Sequence, residues 1–155
     1  MNILYAGFNG KNNSSKILLD KINSMNKLYL KNSFFTSENQ LKKELSKNNY
    51  DLIIMFGQAD LGIDTIKIEI IGKKALAYKT RYDYDILVKL LKNNNYKVII
   101  SEDAGNYLCN NIYYYGLKYI DDNLLNTNII FIHIPKINNI TDIDDLAILF
   151  NIGFK

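Results

Sequence analysis

The strongest constraint on the fold is an alternation. Short apolar runs of strand length take turns with segments of helical spacing along nearly the whole chain. Met1–Tyr5 predicts a strand that ends in a turn at Ala6-Gly7-Phe8-Asn9-Gly10. Asn13, Ser14 and Ser15 offer N-caps for a helix bearing Ile17, Leu18, Leu19 and Ile22. A second helix is predicted over 38–47, with Leu41 and Leu45 one turn apart. The run Leu52-Ile53-Ile54-Met55-Phe56, closed by Gly57, suits a strand buried on both faces. Further strands are predicted at 65–71, 97–101 and 128–134, and further helices at 83–91, 106–120 and 142–150. Pro135 directly follows the last of these strands, where it spares the ladder. Such alternation predicts a three-layer α/β/α architecture with a mainly parallel, twisted sheet. With no repeat and no low-complexity linker, residues 1–155 read as one α/β hydrolase domain.

Composition narrows the function classes. Hydrophobic residues make up 48% and charged residues 23%, an ordinary globular balance that argues against disorder. The net charge of +3 comes from scattered lysines. No basic block is interleaved with aromatics, so nucleic acid is not an expected partner. The lone cysteine excludes an intramolecular disulfide. The start lacks a signal-peptide pattern and no apolar run reaches bilayer length, so the expectation is a cytoplasmic protein without a membrane partner. Tyr113, Tyr114 and Tyr115 cannot all face one core. An ordinary half-exposed helix is expected there, and a contact within a homo-oligomer is compatible with it.

In a sheet of this kind, sites gather outside the carboxyl ends of the strands. The segments Gly7–Gly10, Gly57–Ala59, Ser101–Cys109 and His133–Pro135 all follow strands and are expected to converge on one rim. Cys109 falls in the first turn of a helix, just beyond a tight turn at Gly105. A helix N-terminus favours a thiolate and offers N–H groups to an oxyanion. A buried, inert thiol is the plainer alternative. His133, the only histidine, has the chemistry of a general base, or is simply a satisfied residue at a strand end. A third group must orient the imidazole. Glu69 lies within the apolar strand Ile66-Lys67-Ile68-Glu69-Ile70-Ile71, facing either solvent or a partner, and Glu102 and Asp103 compete for the role. One Cys and one His cannot close a zinc site, and the glycine turns match no nucleotide fingerprint, so neither metal nor cofactor is expected.

These residues also carry a resemblance. Ser101-x-x-Ala104-Gly105-x-Tyr107-x-Cys109-Asn110 resembles the nucleophile motif of the pyroglutamyl-peptidase I (pyrrolidone carboxyl peptidase) family. Phe131-Ile132-His133-Ile134-Pro135 resembles its histidine motif. Gly57-Gln58-Ala59 with Ile66-Lys67-Ile68-Glu69, and Ala6-Gly7-Phe8, are similar to its remaining segments, in the same order. The resemblance implies a cysteine peptidase that removes N-terminal pyroglutamyl residues from peptides with a blocked N-terminus. It implies Cys109 as nucleophile, His133 as base and Glu69 as the orienting acid. By position, Phe8, Gln58, Tyr107 and Leu108 would line the lactam pocket. The chain departs from the family in a shorter stretch at Asn9–Asn13, which lacks a second phenylalanine, and in a shortened loop before Ala77. Arg81 is a candidate substitute for arginines lost with that loop. Two other readings stay open: a relative with the same triad acting on another amide, and a non-catalytic binding or assembly module.

Overall fold

In a computed structural model describing residues 1–154, a six-stranded mixed sheet is covered by helices on both faces. The elements in chain order are β1 (Ile3–Phe8), α1 (Ser14–Lys21), β2 (Lys27–Leu30), α2 (Phe34–Lys47), β3 (Leu52–Ala59), β4 (Thr65–Glu69), β5 (Ile71–Lys73), β6 (Ala77–Lys79), α3 (Asp85–Asn93), β7 (Lys97–Ser101), α4 (Leu108–Asp122), β8 (Asn128–Pro135) and α5 (Ile143–Ile152). The strand order is β2-β1-β3-β8-β4-β7, and β5 and β6 form a separate hairpin.

The α/β class and the mainly parallel sheet agree with the expectation, with one correction of direction. β1, β2, β3 and β8 run parallel, whereas β4 pairs antiparallel with β8 and takes β7 with it. Only residues 60–64 link β3 to β4, too few for the crossover that a parallel return requires. The chain turns back instead, and β8 later fills the space between β3 and β4.

Several boundaries also move. β1 continues through Gly7 to Phe8, and β3 through Gly57 to Ala59, so these glycines sit within strands rather than in turns. A Cβ on Gly7 would lie 3.2 Å from the Ser15 carbonyl oxygen, so its absence admits the start of α1. Pro135 is the last residue of β8, paired with Ala59. β2 and the β5–β6 hairpin were not foreseen. α2 starts earlier, at Phe34, capped by Ser33, whose hydroxyl accepts from the Thr36 N–H. The α1 cap at Asn13 is as expected, its side chain accepting from the Ser15 N–H.

Side-chain alternation along the strands separates two cores. On one face Ile54, Phe56, Ile66, Ile68, Ile130 and Ile132 pack with apolar residues of α1, α3 and α5. On the other, Leu4, Ala6, Ile53, Met55, Ile129 and Phe131 meet Leu41 and Leu45 of α2 and Ile112, Tyr113 and Leu117 of α4. The hairpin then covers a second side of α4. A Cβ on Gly72 would come within 2.9 Å of the Tyr114 backbone, so only glycine permits this approach. Tyr113 and Tyr114 are therefore both buried, and α4 is more enclosed than the half-exposed helix expected. Among the described residues, no helix is long and apolar enough to cross a membrane.

Candidate active site

The site follows from strand alternation. Phe8 has the parity of Leu4 and Ala6, Gly57 that of Ile53 and Met55, and His133 that of Ile129 and Phe131, so all three face α2 and α4. Ile66 and Ile68 face the opposite core, which turns Lys67 and Glu69 to this face as well. Register then fixes their level. Gly57 pairs with His133 across β3 and β8, and His133 pairs with Lys67 across β8 and β4. Glu69 lies diagonally from His133, opposite Phe131.

Glu69 is fully buried (0% exposed) and His133 nearly so (6%). His133 Nδ1 and Glu69 Oε1 are 2.9 Å apart. With Nδ1 donating to the carboxylate, Nε2 is the acceptor nitrogen. Lys67 Nζ lies 3.3 Å from the same Oε1, while Oε2 has no hydrogen-bond partner among the described residues. The Tyr113 hydroxyl donates to the Glu69 backbone carbonyl at 2.8 Å, tying this end of β4 to α4. The competing carboxylates are elsewhere. Glu102 is exposed, and Asp103 is used locally, its carboxylate accepting from the Gly105 N–H at 2.9 Å.

Cys109 arrives from above the sheet. Ser101 and Asp103 exchange local hydrogen bonds, Gly105 takes a positive φ of 86°, and α4 begins with Cys109 as its second residue. The expectation of a single rim needs amendment here. Because β7 is reversed, Ser101 ends level with Glu69 near mid-sheet, and residues 102–107 carry the chain back to the rim. The thiol reaches the sheet at Gly57, where a Cβ would sit 2.7 Å from Cys109 Sγ and 2.9 Å from the Phe131 ring. Burial, and then the charge of Glu69, push the Cys109 thiol up to about 12. The first turn of α4 acts in the other direction, but desolvation prevails.

That first turn is poorly capped. Tyr107 occupies the N-cap and makes no side-chain capping bond. The first intrahelical bond runs from the Asn111 N–H to the Tyr107 carbonyl, so the preceding N–H groups point out of the helix end beside the thiol.

A cavity of about 190 Å³ opens next to Cys109, lined by Phe8, Asn13, Asn32, Gln58, Tyr107 and Leu108. All four residues expected to line a pocket are among these. Gln58 is oriented from behind: its amide oxygen accepts the Ser14 N–H at 2.9 Å. Asn13 and Asn32 were missed. Asn13 is busy as the α1 cap, and Asn32 donates to the Asn9 carbonyl at 2.7 Å. A larger cavity of about 380 Å³ lies at the amino ends of the strands, lined by Met1, Asn2, Asn23, Ser24 and Phe154, with no cysteine, histidine or carboxylate in its lining. Arg81 stands away from the site. Its guanidinium donates to the Leu125 and Thr127 carbonyls, both at 2.9 Å, just before β8 begins.

The model of the pyroglutamyl peptidase family matches residues 61–148, more than half of the chain. The chain belongs to the pyroglutamyl peptidase family. The matched span includes Glu69, Cys109 and His133, while Phe8 and Gln58 precede it. The pyrrolidone-carboxylate peptidase of Thermosipho melanesiensis is 30% identical, covering 90% of this chain and 85% of its own. Pyrrolidone-carboxylate peptidase 1 of Caldanaerobacter subterraneus subsp. tengcongensis is 28% identical over 70% of this chain, which spans 64% of that relative's length. Pyroglutamyl peptidase I of Bacillus amyloliquefaciens shares the fold with a TM-score of 0.84 at 20% identity, over 97% of this chain and 93% of the other. The pyrrolidone carboxyl peptidase of Thermococcus litoralis superposes with a TM-score of 0.78 at 19% identity, over 99% and 92%. This pyroglutamyl peptidase family member keeps the fold of its longer relatives.

Proposed function

We propose that this chain is a cysteine peptidase that removes pyroglutamyl residues from the blocked N-termini of peptides, using Cys109, His133 and Glu69. The observation that carries the reading is a conjunction. The one thiol packs on Gly57, the register partner of His133; His133 is bonded to a buried carboxylate; and a small cavity opens at the thiol. At about 190 Å³ the cavity is below the usual range for ligand pockets, which suits one small ring better than a stretch of peptide. Phe8 and Leu108 offer it apolar walls, and Gln58 offers an amide to the lactam edge.

The chemistry follows from the resting state. The thiol holds its proton until substrate arrives, so His133 Nε2 takes it as sulfur attacks the pyroglutamyl carbonyl. A carbon–sulfur bond forms, and the carbonyl oxygen becomes an oxyanion that the N–H groups at the start of α4 can hold. Collapse breaks the carbon–nitrogen bond, and the imidazolium returns the proton to the departing amine. Water, deprotonated by the same nitrogen, then cleaves the thioester and releases pyroglutamate and the thiol. Glu69 fixes the tautomer and stabilises the imidazolium in both steps.

A fluorogenic pyroglutamyl amide tests the proposal. Turnover by the wild type that vanishes in Cys109→Ala is expected. A folded wild type without turnover overturns the reading.

A further inference from the structure

We infer that Phe34 and Tyr107 form a binding site for the side chain of the residue that follows the pyroglutamyl group, and that this site gives the enzyme a preference for large apolar residues there. The inference rests on the proposed activity and extends it from the residue removed to the residue left behind.

Tyr107 lines the cavity beside Cys109 yet is 70% exposed, so its ring forms the mouth rather than the floor. Phe34, the first residue of α2, packs edge-to-face on it with ring centroids 5.3 Å apart, and is itself 43% exposed. Single exposed apolar side chains are ordinary on a protein surface. Two aromatic rings held against each other at the rim of a site, both open to water, are a different matter. Neither serves the fold in an evident way: Tyr107 takes a capping position without capping, and Phe34 lies outside the buried core. A cavity with room for one ring forces the rest of the substrate out through the mouth. The first side chain beyond the scissile bond then meets this aromatic pair, which can bury it on one side and supply an edge-to-face contact.

The test compares kcat/KM for pyroglutamyl-phenylalaninamide and pyroglutamyl-glycinamide in the wild type, Phe34→Ala, Phe34→Leu and Phe35→Ala. The wild type should prefer the phenylalanine substrate roughly three- to tenfold, the range set by one aromatic contact. Phe34→Ala should abolish that ratio and Phe34→Leu should restore part of it. Phe35 is the matched control: it is 76% exposed, and the helix turns it about 100° from Phe34. Its loss should leave the ratio intact. Cleavage of both amides with an unchanged ratio in Phe34→Ala, or an equal fall in Phe35→Ala, overturns the inference and leaves the peptidase reading standing. Cleavage of neither amide by the wild type overturns both.

Discussion

The two faces of the sheet are built from the same strands and differ in what they admit. On the side of α1, α3 and α5, β3, β4 and β8 present isoleucine and phenylalanine at successive inward positions, through to Ile134 at the rim. On the side of α2 and α4 the same apolar lining runs from Leu4, Ile53 and Ile129 and is then interrupted at one level. There Gly57, His133 and Lys67 stand side by side in place of aliphatic residues, with Glu69 one inward position along β4, opposite Phe131. The first face supplies stability; the second gives up a slab of core to hold a buried carboxylate, an imidazole and a thiol. The lesson is that a site can occupy every second residue of adjacent strands without disturbing the packing behind it.

That comparison can be tested by removing its parts. His133→Ala should have the largest effect, a loss in kcat/KM of roughly 10³–10⁶, with Glu69→Gln roughly a hundredfold milder. A loss under about tenfold would remove His133 as the base. Next is the thiol. An acid raised to about 12 has a smaller thiolate fraction than a free thiol at every lower pH. Iodoacetamide should therefore label Cys109 about a thousandfold more slowly than a free thiol at pH 7, and faster by about tenfold per pH unit above it. Labelling at the free-thiol rate near neutrality would mean that burial does not hold the proton on the thiol in the resting site. Gly57→Ala places a methyl group on Sγ and should lower kcat/KM roughly 10²-fold through misplacement of the nucleophile, while costing only about 1–3 kcal/mol of stability. Rates within twofold of wild type would show that the thiol need not touch the sheet. The smallest effect belongs to the opposite face: Ile132→Val should cost about 0.5–1.5 kcal/mol in denaturant unfolding and leave turnover unchanged. A large kinetic effect there would break the separation of the two faces.

Much of this was legible in the chain. The continuous apolar run at Leu52–Phe56 could be read because a strand buried on both faces leaves a strong local pattern, whereas Phe8, Gln58, Tyr107 and Leu108 were reached only through the family resemblance, by position. Lys67 was readable too, since it shares a face with Glu69 by simple alternation. Other features left no such trace. β2 is a short edge strand with only Leu30 fully buried, so its sequence has little need of an apolar run. The hairpin depends on Gly72 meeting the Tyr114 backbone, a contact between segments far apart in sequence. Asn32 enters the cavity only through the position of β2 and α2. The reversal of β4 was within reach, because residues 60–64 are too few for a crossover.

Ser14 and Ser15 are both fully buried at the start of α1. The Ser14 hydroxyl donates to the Pro135 carbonyl at 2.6 Å, its N–H donates to Gln58, and the Ser15 hydroxyl donates to the Phe8 carbonyl at 3.3 Å. One helix end thus laces the tips of β1, β3 and β8 together. The wall of the cavity made by Phe8 and Gln58 is braced from behind, whereas the Tyr107 wall stands on a turn held by bonds among Ser101, Asp103 and Gly105. Amide hydrogens in the braced wall should exchange only on global unfolding, and those of residues 102–107 through local opening. Whatever adjustment the cavity makes to an occupant therefore falls to the wall that carries Cys109.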